Sequence, residues 1–316
     1  MISGGKSVVG GRYMRNSYFM NIYFNEDGDR VREIREIATD ATLKDVCYGS
    51  FTCTYEDRII RGGGQDENNR CVNTVVEFDD ARGWVQSSLP KMEFQRSFAG
   101  ACLVGNTIVV GGGIDSNYKT IDSMEILHIN IGDNADAWIE LKSHLPPGFR
   151  GVPHLNTLNG KLVVLEDNLH SYDRLHEDSS RDESSNTNNR VWKGGWNDSL
   201  LTSDTIITWN FVKNLSFERV DFFSVVVKNK LFVFGGVLDG LDRIDIYDGD
   251  KWAHGPPLNL MISRKNAQVV VDKRNRIIII TNFDGIVVYN TETDNVDICD
   301  VFSLKEKRQW YCASSY

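Results

Sequence analysis

The chain has no long apolar run and a shortage of positive charge, and both features exclude classes of protein. No uninterrupted apolar run of about 18 residues is present, so the sequence predicts no membrane-spanning helix. Lysine and arginine number 35 against 44 aspartates and glutamates, and the net charge of −9 argues against nonspecific binding of nucleic acid. We therefore expect contact neither with a membrane nor with nucleic acid.

Cysteine is sparse and irregularly placed. The six cysteines lack the spacing of a disulfide framework, and several lie in apolar stretches where a free thiol packs as a small hydrophobic group. Met1 leads into a strand-like segment with Lys6, which is not typical of a secretory signal. The sequence therefore predicts reduced cysteines and a cytoplasmic location.

The sequence also lacks a recognisable catalytic, metal-binding or cofactor-binding motif. Gly5-Lys6-Ser7 resembles the end of a phosphate-binding loop, but the earlier glycine and the following helix of that motif are missing. The histidines are scattered, and only His170 and His176 have a spacing that could suit a metal. We expect no catalytic residue, no metal and no cofactor, although a triad assembled in space would leave no trace in the sequence.

What the chain does have is a repeated unit of β-strands. Each unit begins with an arginine and an apolar strand, and a short turn leads to a second apolar strand that often ends in two glycines. A third strand follows, and in most units a tryptophan lies at or near the start of a fourth. The units begin at Arg96, Arg150, Arg219, Arg264 and Arg308, with a further one near Lys44. A repeat of this length is typical of solenoids, propellers and arrays.

The pattern within the unit favours a propeller. Continuous apolar runs such as VVVKNKLFVF predict inner strands that are covered on both faces, which a ring of sheets provides. We expect one all-β domain over residues 1–316, a six-bladed β-propeller with four antiparallel strands per blade, closed by pairing of the N- and C-terminal strands in one blade. The expected blades are 1–43 with 308–316, 44–95, 96–149, 150–218, 219–263 and 264–307.

The repeat resembles the kelch family of β-propellers over essentially the whole chain. The residues that carry the resemblance are twin glycines, a Leu-Pro pair before the arginine, and an aromatic residue followed by a tryptophan, most clearly Phe78 with Trp84 and Tyr247 with Trp252. Glu166-Asp167 and Thr281-Asn282 replace the glycines in two units, and Val296 replaces a tryptophan. We assign structural roles to Gly63, Gly64, Gly112, Gly113, Gly235, Gly236, Trp84, Trp138, Trp209 and Trp252, and the pair Gly4-Gly5 follows the same pattern.

The repeated arginines are the first candidate binding residues. Each begins the innermost strand of its blade, so Arg96, Arg150, Arg219, Arg264 and Arg308 are expected to ring the mouth of the central channel. Arginine suits the capture of carboxylates. The alternative is structural, because the same side chain could bond the backbone of the adjacent blade. The two roles are compatible.

The polar segment Asn168–Ser199 is the second candidate. It lies between the second and third strands of its blade, which predicts a mobile loop on the same face as the arginines. Its acidic stretch 177–183 could fold over the arginines as an internal competitor, or the loop could be an insertion without a role. Trp192 and Trp196 at its end are candidate partner contacts, and packing onto the blade is the alternative.

The resemblance implies a protein-binding module that receives an acidic segment of a partner. Similar kelch proteins are substrate receptors of cullin-type ubiquitin ligases, in which a BTB-and-linker region precedes the propeller. Here Met1 is expected to lie in the first blade, so the resemblance covers the propeller part. We expect the chain not to be an enzyme. The alternatives are a kelch-type enzyme such as a sialic-acid epimerase, and an actin-associated scaffold.

Overall fold

The chain folds as an all-β propeller with four-stranded antiparallel blades. The computed structural model describes residues 2–3, 6–7, 16–26, 30–42, 48–56, 58–79, 83–85, 89–129, 137–167, 189–197, 200–216, 219–236, 242–258, 262–264, 267–281, 285–299, 308–309 and 312–313. Within these residues no helix is long and apolar enough to cross a membrane. The polar segment over 168–188, Lys44 and the Gly4-Gly5 pair lie outside them.

Five sheets are each built from four strands that are consecutive in the chain. Their strands, sheet by sheet, are β5 Phe51–Tyr55, β6 Arg58–Gly62, β7 Val75–Asp79 and β8 Gly83–Val85; β9 Gly100–Val104, β10 Thr107–Gly111, β11 Met124–His128 and β12 Ile139–Glu140; β13 Val152–Leu158, β14 Lys161–Asp167, β15 Val191–Gly195 and β16 Thr208–Phe211; β17 Phe223–Val227, β18 Lys230–Phe234, β19 Ile244–Tyr247 and β20 Trp252–His254; and β21 Ala267–Val271, β22 Arg276–Thr281, β23 Ile286–Asn290 and β24 Asn295–Cys299.

The remaining described strands come from the two ends of the chain. One further four-stranded sheet has the order β26-β1-β3-β4, and a two-stranded sheet pairs β2 with β25. The strands are β1 Ile2–Ser3, β2 Lys6–Ser7, β3 Asn16–Phe24, β4 Val31–Thr42, β25 Arg308–Gln309 and β26 Cys312–Ala313. In the first of these sheets Ile2 pairs with Ala313.

Tight turns join the first and second strands where the sequence predicted them. Gly105 and Asn106 link β9 to β10, and Gly105 has a φ of 57°. Lys228 and Asn229 link β17 to β18, and both have positive φ, 48° and 57°. In the turn at Lys228 and Asn229, two successive left-handed residues give a twist that matches the twist of the flanking strands.

The hydrophobic core lies between neighbouring sheets, because each second strand is covered on both faces. All five residues of β10 are buried, as are four of the five in β18. Val109, Leu155 and Leu162 belong to a cluster between the second and third of the five sheets, and equivalent clusters lie between the other neighbours. The first strands β5, β9, β13, β17 and β21 contact one another in this order, and their starting ends lie together at one end of the central channel.

Candidate functional site at the channel mouth

The twin glycines occupy backbone positions that exclude a side chain. All six of the predicted structural glycines have positive φ, from 63° at Gly63 to 121° at Gly236. A Cβ on Gly113 would lie 2.4 Å from Ser97 O, and one on Gly235 would lie 2.4 Å from Ile262 O. Glycine is required because other residues rarely adopt this φ and none would fit the space. At Gly113 and Gly235 the missing side chain therefore allows the backbone to approach a neighbouring carbonyl closely.

The four predicted structural tryptophans pack within their blades. Trp84 lies edge-on to Phe78 with ring centroids 5.4 Å apart, and Trp252 packs on Tyr247 at 5.0 Å. The indole of Trp138 donates to Pro90 O, and that of Trp209 donates to His144 O. Trp138 and Trp209 thus tie their blades to the segment that precedes each of them.

Arg96 and Arg219 lie inside their own blades, with none of their surface exposed. Arg96 donates to Gly112 O and Ser123 O at 2.9 and 3.0 Å, and it pairs with Glu125 at 2.8 Å. Arg219 donates in the same way to Gly235 O and pairs with Asp245 at 3.1 Å. Burial lowers the pKa of each arginine, and its carboxylate partner counteracts that effect.

This placement differs from the expected ring of arginines at the mouth. The repeat fixes where each arginine stands in the chain, but a carboxylate in the third strand of the same blade draws the side chain inward. Glu125 lies opposite Val110, and Asp245 lies opposite Val233 at the equivalent position. The structural alternative accounts for the contacts of Arg96 and Arg219. A recognition role for them stays a prediction, and it would require these buried pairs to open.

The blade that begins at Arg150 has a different ion pair, which joins Glu166 and Arg190. Trp192 takes the position of Glu125, so Arg150 has no carboxylate there and is exposed. Glu166, which replaces the first glycine, accepts from the amides of Arg150 and Gly151 and pairs with Arg190 at 2.6 Å. The exposed guanidinium of Arg150 therefore lies at the same end of the blade as the starts of the inner strands.

The blade that begins at Arg264 lacks a carboxylate partner as well. Val287 lies opposite Ile279, at the position that Glu125 holds in the blade of Arg96. The Arg264 side chain extends instead to the third of the five sheets, where its Nη1 lies 3.2 Å from His154 Nε2 and 3.9 Å from Asp167 Oδ2. About one fifth of this side chain is exposed.

Asp167 is the carboxylate that Arg264 reaches, and it replaces the second of the twin glycines. The Asp221 amide lies 3.0 Å from both of its oxygens, and His154 Nε2 lies 3.2 Å from Oδ2. Burial raises the pKa of Asp167 to about 6, although Arg264 acts against this rise. Burial lowers the pKa of His154 well below its ordinary value, and Arg264 adds to that effect. His154, Asp167 and Arg264 are called the mouth triad below.

His154 and Arg264 of the mouth triad border a cavity of about 180 Å³ at the starts of the inner strands, and Asp167 lies behind them. The first strands of all five consecutive sheets contribute to its wall, which Phe98, Pro153 and Phe223 make partly apolar. The polar side chains in the wall are Ser50, Thr52, His154, Ser224, Arg264 and Gln268. Of the described residues that line it, Arg264 is the cation and none is a carboxylate. This space is called the mouth cavity below.

The other sequence-predicted binding residues do not join Arg264. Trp192 lies edge-on to Phe211 at 5.3 Å, and Trp196 lies under Lys161 with the ammonium 4.7 Å from its ring centroid. Both pack against the core between the second and third sheets, so the packing alternative accounts for them and a partner contact stays a prediction. Arg308 pairs through its backbone with Ser7, and its side chain lies outside the described residues.

Sequence reasoning missed His154, Asp167 and Gln268. A signal was nevertheless present, because Glu166-Asp167 breaks the twin-glycine pattern and charged residues are unfavourable in a buried strand unless they are paired. Across the described part of the chain, no group of three or more histidines, cysteines and acidic residues is placed to hold a metal ion.

Comparison with known proteins identifies one segment of the repeat. A family model for the kelch motif matches residues 218–259, which include the buried Arg219 and its blade. The resemblance of the repeat to kelch propellers is thereby confirmed. No curated protein matches the chain.

A solved structure supports the same fold. The structure titled "Structure of YjhT" superposes on this chain with a TM-score of 0.50 and 13% sequence identity, and the match covers 78% of this chain and 85% of that one. At this identity the likeness shows the fold alone. A kelch propeller is compatible both with an interaction module and with an enzyme, because the fold does not fix the function.

Proposed function

We propose that the chain is a protein-interaction module that receives an acidic segment of a partner protein at the mouth cavity. The observation that carries this proposal is the position of Arg264. Its own blade offers Val287 where Arg96 and Arg219 find a carboxylate, so its guanidinium reaches the cavity instead of being enclosed. Arginine in such a place is suited to accept a carboxylate through two parallel hydrogen bonds.

The remainder of the cavity wall supports an anionic occupant. Ser50, Thr52, Ser224 and Gln268 provide hydroxyl and amide donors around Arg264, and the described lining contains no competing carboxylate. Arg150 is exposed at the same end of its blade and extends the positive surface beyond the cavity. A volume of about 180 Å³ suits one or two side chains of a docked segment rather than a folded element.

The proposal includes a closed ring of six blades with the boundaries predicted from the repeat. Its support is that β26 contacts both β21 and β5, which would place it between the last and the first of the five consecutive sheets. Its pairing with β1 would then join both ends of the chain in one blade, as the sequence predicts. A cytoplasmic location is part of the proposal and agrees with the free thiols of Cys53, Cys71, Cys102 and Cys299. A role as substrate receptor of a cullin-type ligase rests on the kelch resemblance.

An enzymatic function is the second candidate, and the mouth triad favours it. A buried carboxyl with a raised pKa beside a histidine with a lowered pKa, both next to a cavity, is an arrangement found at sites of proton transfer. His154 Nε2 lies 3.2 Å from both Asp167 Oδ2 and Arg264 Nη1, and it can either donate to the carboxylate or accept from the guanidinium. Binding without turnover of the bound ligand would separate the two candidates.

The test is binding of an acidic probe to a matched pair of variants. The probe is a fluorescein-labelled Gly-Glu-Glu-Glu-Gly peptide followed by fluorescence anisotropy, and its control carries glutamine in place of glutamate. Arg264→Gln removes the cavity cation, whereas Arg274→Gln removes an exposed charge from the turn between β21 and β22, at the other end of its blade. We expect Arg264→Gln to weaken binding at least tenfold and Arg274→Gln to leave it unchanged. Equal binding of the acidic and neutral probes by the wild type would refute the proposal.

A further inference from the structure

Asp167 holds a carboxylate directly behind the mouth cavity, at a position where the kelch repeat has glycine. Gly113 and Gly236 stand at the equivalent place in two other blades, and both have positive φ. In the blade of Asp167 the second strand continues through this position, so the residue contributes a side chain where the others contribute only backbone. That side chain is fully buried and points toward the groups that border the cavity.

The groups around this carboxylate can be named element by element. From the segment before β17 the backbone amide of Asp221 donates to it, and from β13 His154 faces it. From the segment before β21 Arg264 approaches to 3.9 Å. On its own strand, Glu166 is engaged by Arg190. The Asp221 side chain is also buried beside the site. Arg264 is the cation whose charge lowers the pKa of Asp167.

We infer that Asp167 is an internal competitor for Arg264, and that removing its negative charge opens the mouth cavity to a carboxylate ligand. This inference rests on the proposed function, since it concerns the control of the same site. While Asp167 is ionised, its charge offsets that of Arg264 across 3.9 Å in a poorly solvated environment. Once Asp167 is neutral, the full charge of Arg264 is available to an incoming anion.

Proton uptake provides the natural means of removing that charge. The pKa of Asp167 is raised to about 6, so a modest fall below neutral pH begins to protonate it. Because Arg264 lowers this pKa, a ligand that draws Arg264 away would raise the pKa further. Ligand binding and proton binding therefore favour each other, and by linkage each strengthens the other by the same factor. Burial and the charge of Arg264 lower the pKa of His154, so both oppose protonation of this ring.

The test uses the full chain, the fluorescein-labelled Gly-Glu-Glu-Glu-Gly probe and its glutamine control at pH 7.5 and pH 5.5. Glutamate side chains remain mostly ionised at pH 5.5, because their ordinary pKa is about 4.3. Asp167→Asn keeps an oxygen that accepts from the Asp221 amide and removes the charge. We expect this variant to bind the acidic probe about tenfold more tightly than the wild type at pH 7.5, within the usual range of coupling between sites.

The pH dependence supplies a second readout that a change in packing would not reproduce. The wild type is expected to bind more tightly at pH 5.5 than at pH 7.5, and Asp167→Asn is expected to lose most of that difference. If the wild type binds and Arg264→Gln weakens binding, but Asp167→Asn matches the wild type at both pH values, the competitor role is overturned while the proposed function stands. If neither the wild type nor Asp167→Asn prefers the acidic probe, the proposed function fails and the inference fails with it. Thermal melts of each variant identify any loss of folding.

Discussion

Replacing Arg96 by methionine tests whether the repeated arginines hold the blades together. Arg96 is fully buried and donates four hydrogen bonds, which reach Gly112 O, Ser123 O, Ser123 Oγ and Glu125 Oε1 at distances of 2.8–3.0 Å. Methionine fills much of the same volume but offers no donor. The variant would therefore leave Glu125 and two backbone carbonyls without the cation that satisfies them.

The expected loss in the free energy of unfolding follows from the burial of the Arg96–Glu125 pair. Breaking a buried ion pair by removing one partner costs about 3–5 kcal/mol. Both side chains have no exposed surface, so screening by solvent does not reduce the figure. Burial already raises the pKa of Glu125 and Arg96 holds it down, so the variant would drive Glu125 toward its neutral form. The loss should consequently be larger at pH 8 than at pH 5.

Urea unfolding followed by tryptophan fluorescence measures this loss. With a denaturant slope of about 3 kcal/mol/M, a loss of about 4 kcal/mol lowers the urea midpoint by more than about 1 M. The control is Arg35→Met, which removes an exposed partner of Glu33 and should shift the midpoint far less. The double variant Arg96→Met, Glu125→Leu should recover part of the loss, because it no longer buries an unpaired carboxylate. If Arg96→Met unfolds at the same urea concentration as Arg35→Met, the role of the buried pair is refuted.

Three further predictions concern single positions. Gly113→Ala should lower the free energy of unfolding by about 3 kcal/mol, because the new Cβ would lie 2.4 Å from a backbone oxygen. Gly105→Ala should lower it by about 1 kcal/mol, because its φ is positive but no atom lies within 4 Å of the new Cβ. Equal losses in thermal melts would contradict this difference. Burial raises the pKa of the Cys53 thiol, so iodoacetamide at pH 8 should label partly exposed Cys299 before buried Cys53, and peptide mass mapping that found the reverse order would argue against the burial of Cys53. The pKa of Asp167 is raised to about 6 from an ordinary 3.8, so its protonation stabilises the fold at low pH and that contribution is lost as pH rises through 6. Asp167→Asn should therefore have a higher melting temperature than the wild type at pH 7.5, and the difference should narrow toward pH 5. A difference in melting temperature that does not change with pH would contradict the raised pKa of Asp167.

Much of the fold could be predicted because its signals are local. The two-residue turns at Gly105-Asn106 and Lys228-Asn229 depend on a few neighbouring residues, and both lie where the sequence predicted them. The twin glycines and the tryptophans are local signals of the same kind. The length of the repeat and its pattern of apolar residues then define one four-stranded sheet. A single sheet cannot bury both of its apolar faces, so it requires a neighbouring sheet on each side. The packing of one sheet on the next follows from that requirement.

Of the residues at the candidate site, Arg264 was proposed from the sequence, whereas His154, Asp167 and Gln268 were not. The mouth cavity lies where the inner strands begin, but the direction of each arginine depends on a distant residue in the third strand of its blade. The sequence does contain a readable signal for that direction, since Glu125 and Asp245 are lone carboxylates within apolar third strands. A buried carboxylate of this kind requires a cation, and the arginine of the same unit supplies it. Units without this carboxylate leave their arginine available.

The two departures from the kelch pattern complement each other across the channel. One blade has gained Asp167 in place of a glycine, and another has Val287 in place of the acidic residue that would hold Arg264. Asp167 without a nearby cation would be a fully buried and uncompensated charge, which is costly, whereas partly exposed Arg264 forms a loose pair with it at the edge of the cavity. Arg96 and Arg219 pair with a carboxylate of their own blade. Arg150 is exposed, and Arg264 lines the mouth cavity. The proposed binding site would then have arisen through the degeneration of the repeat, and the loose pair of Arg264 and Asp167 is where it should be sought.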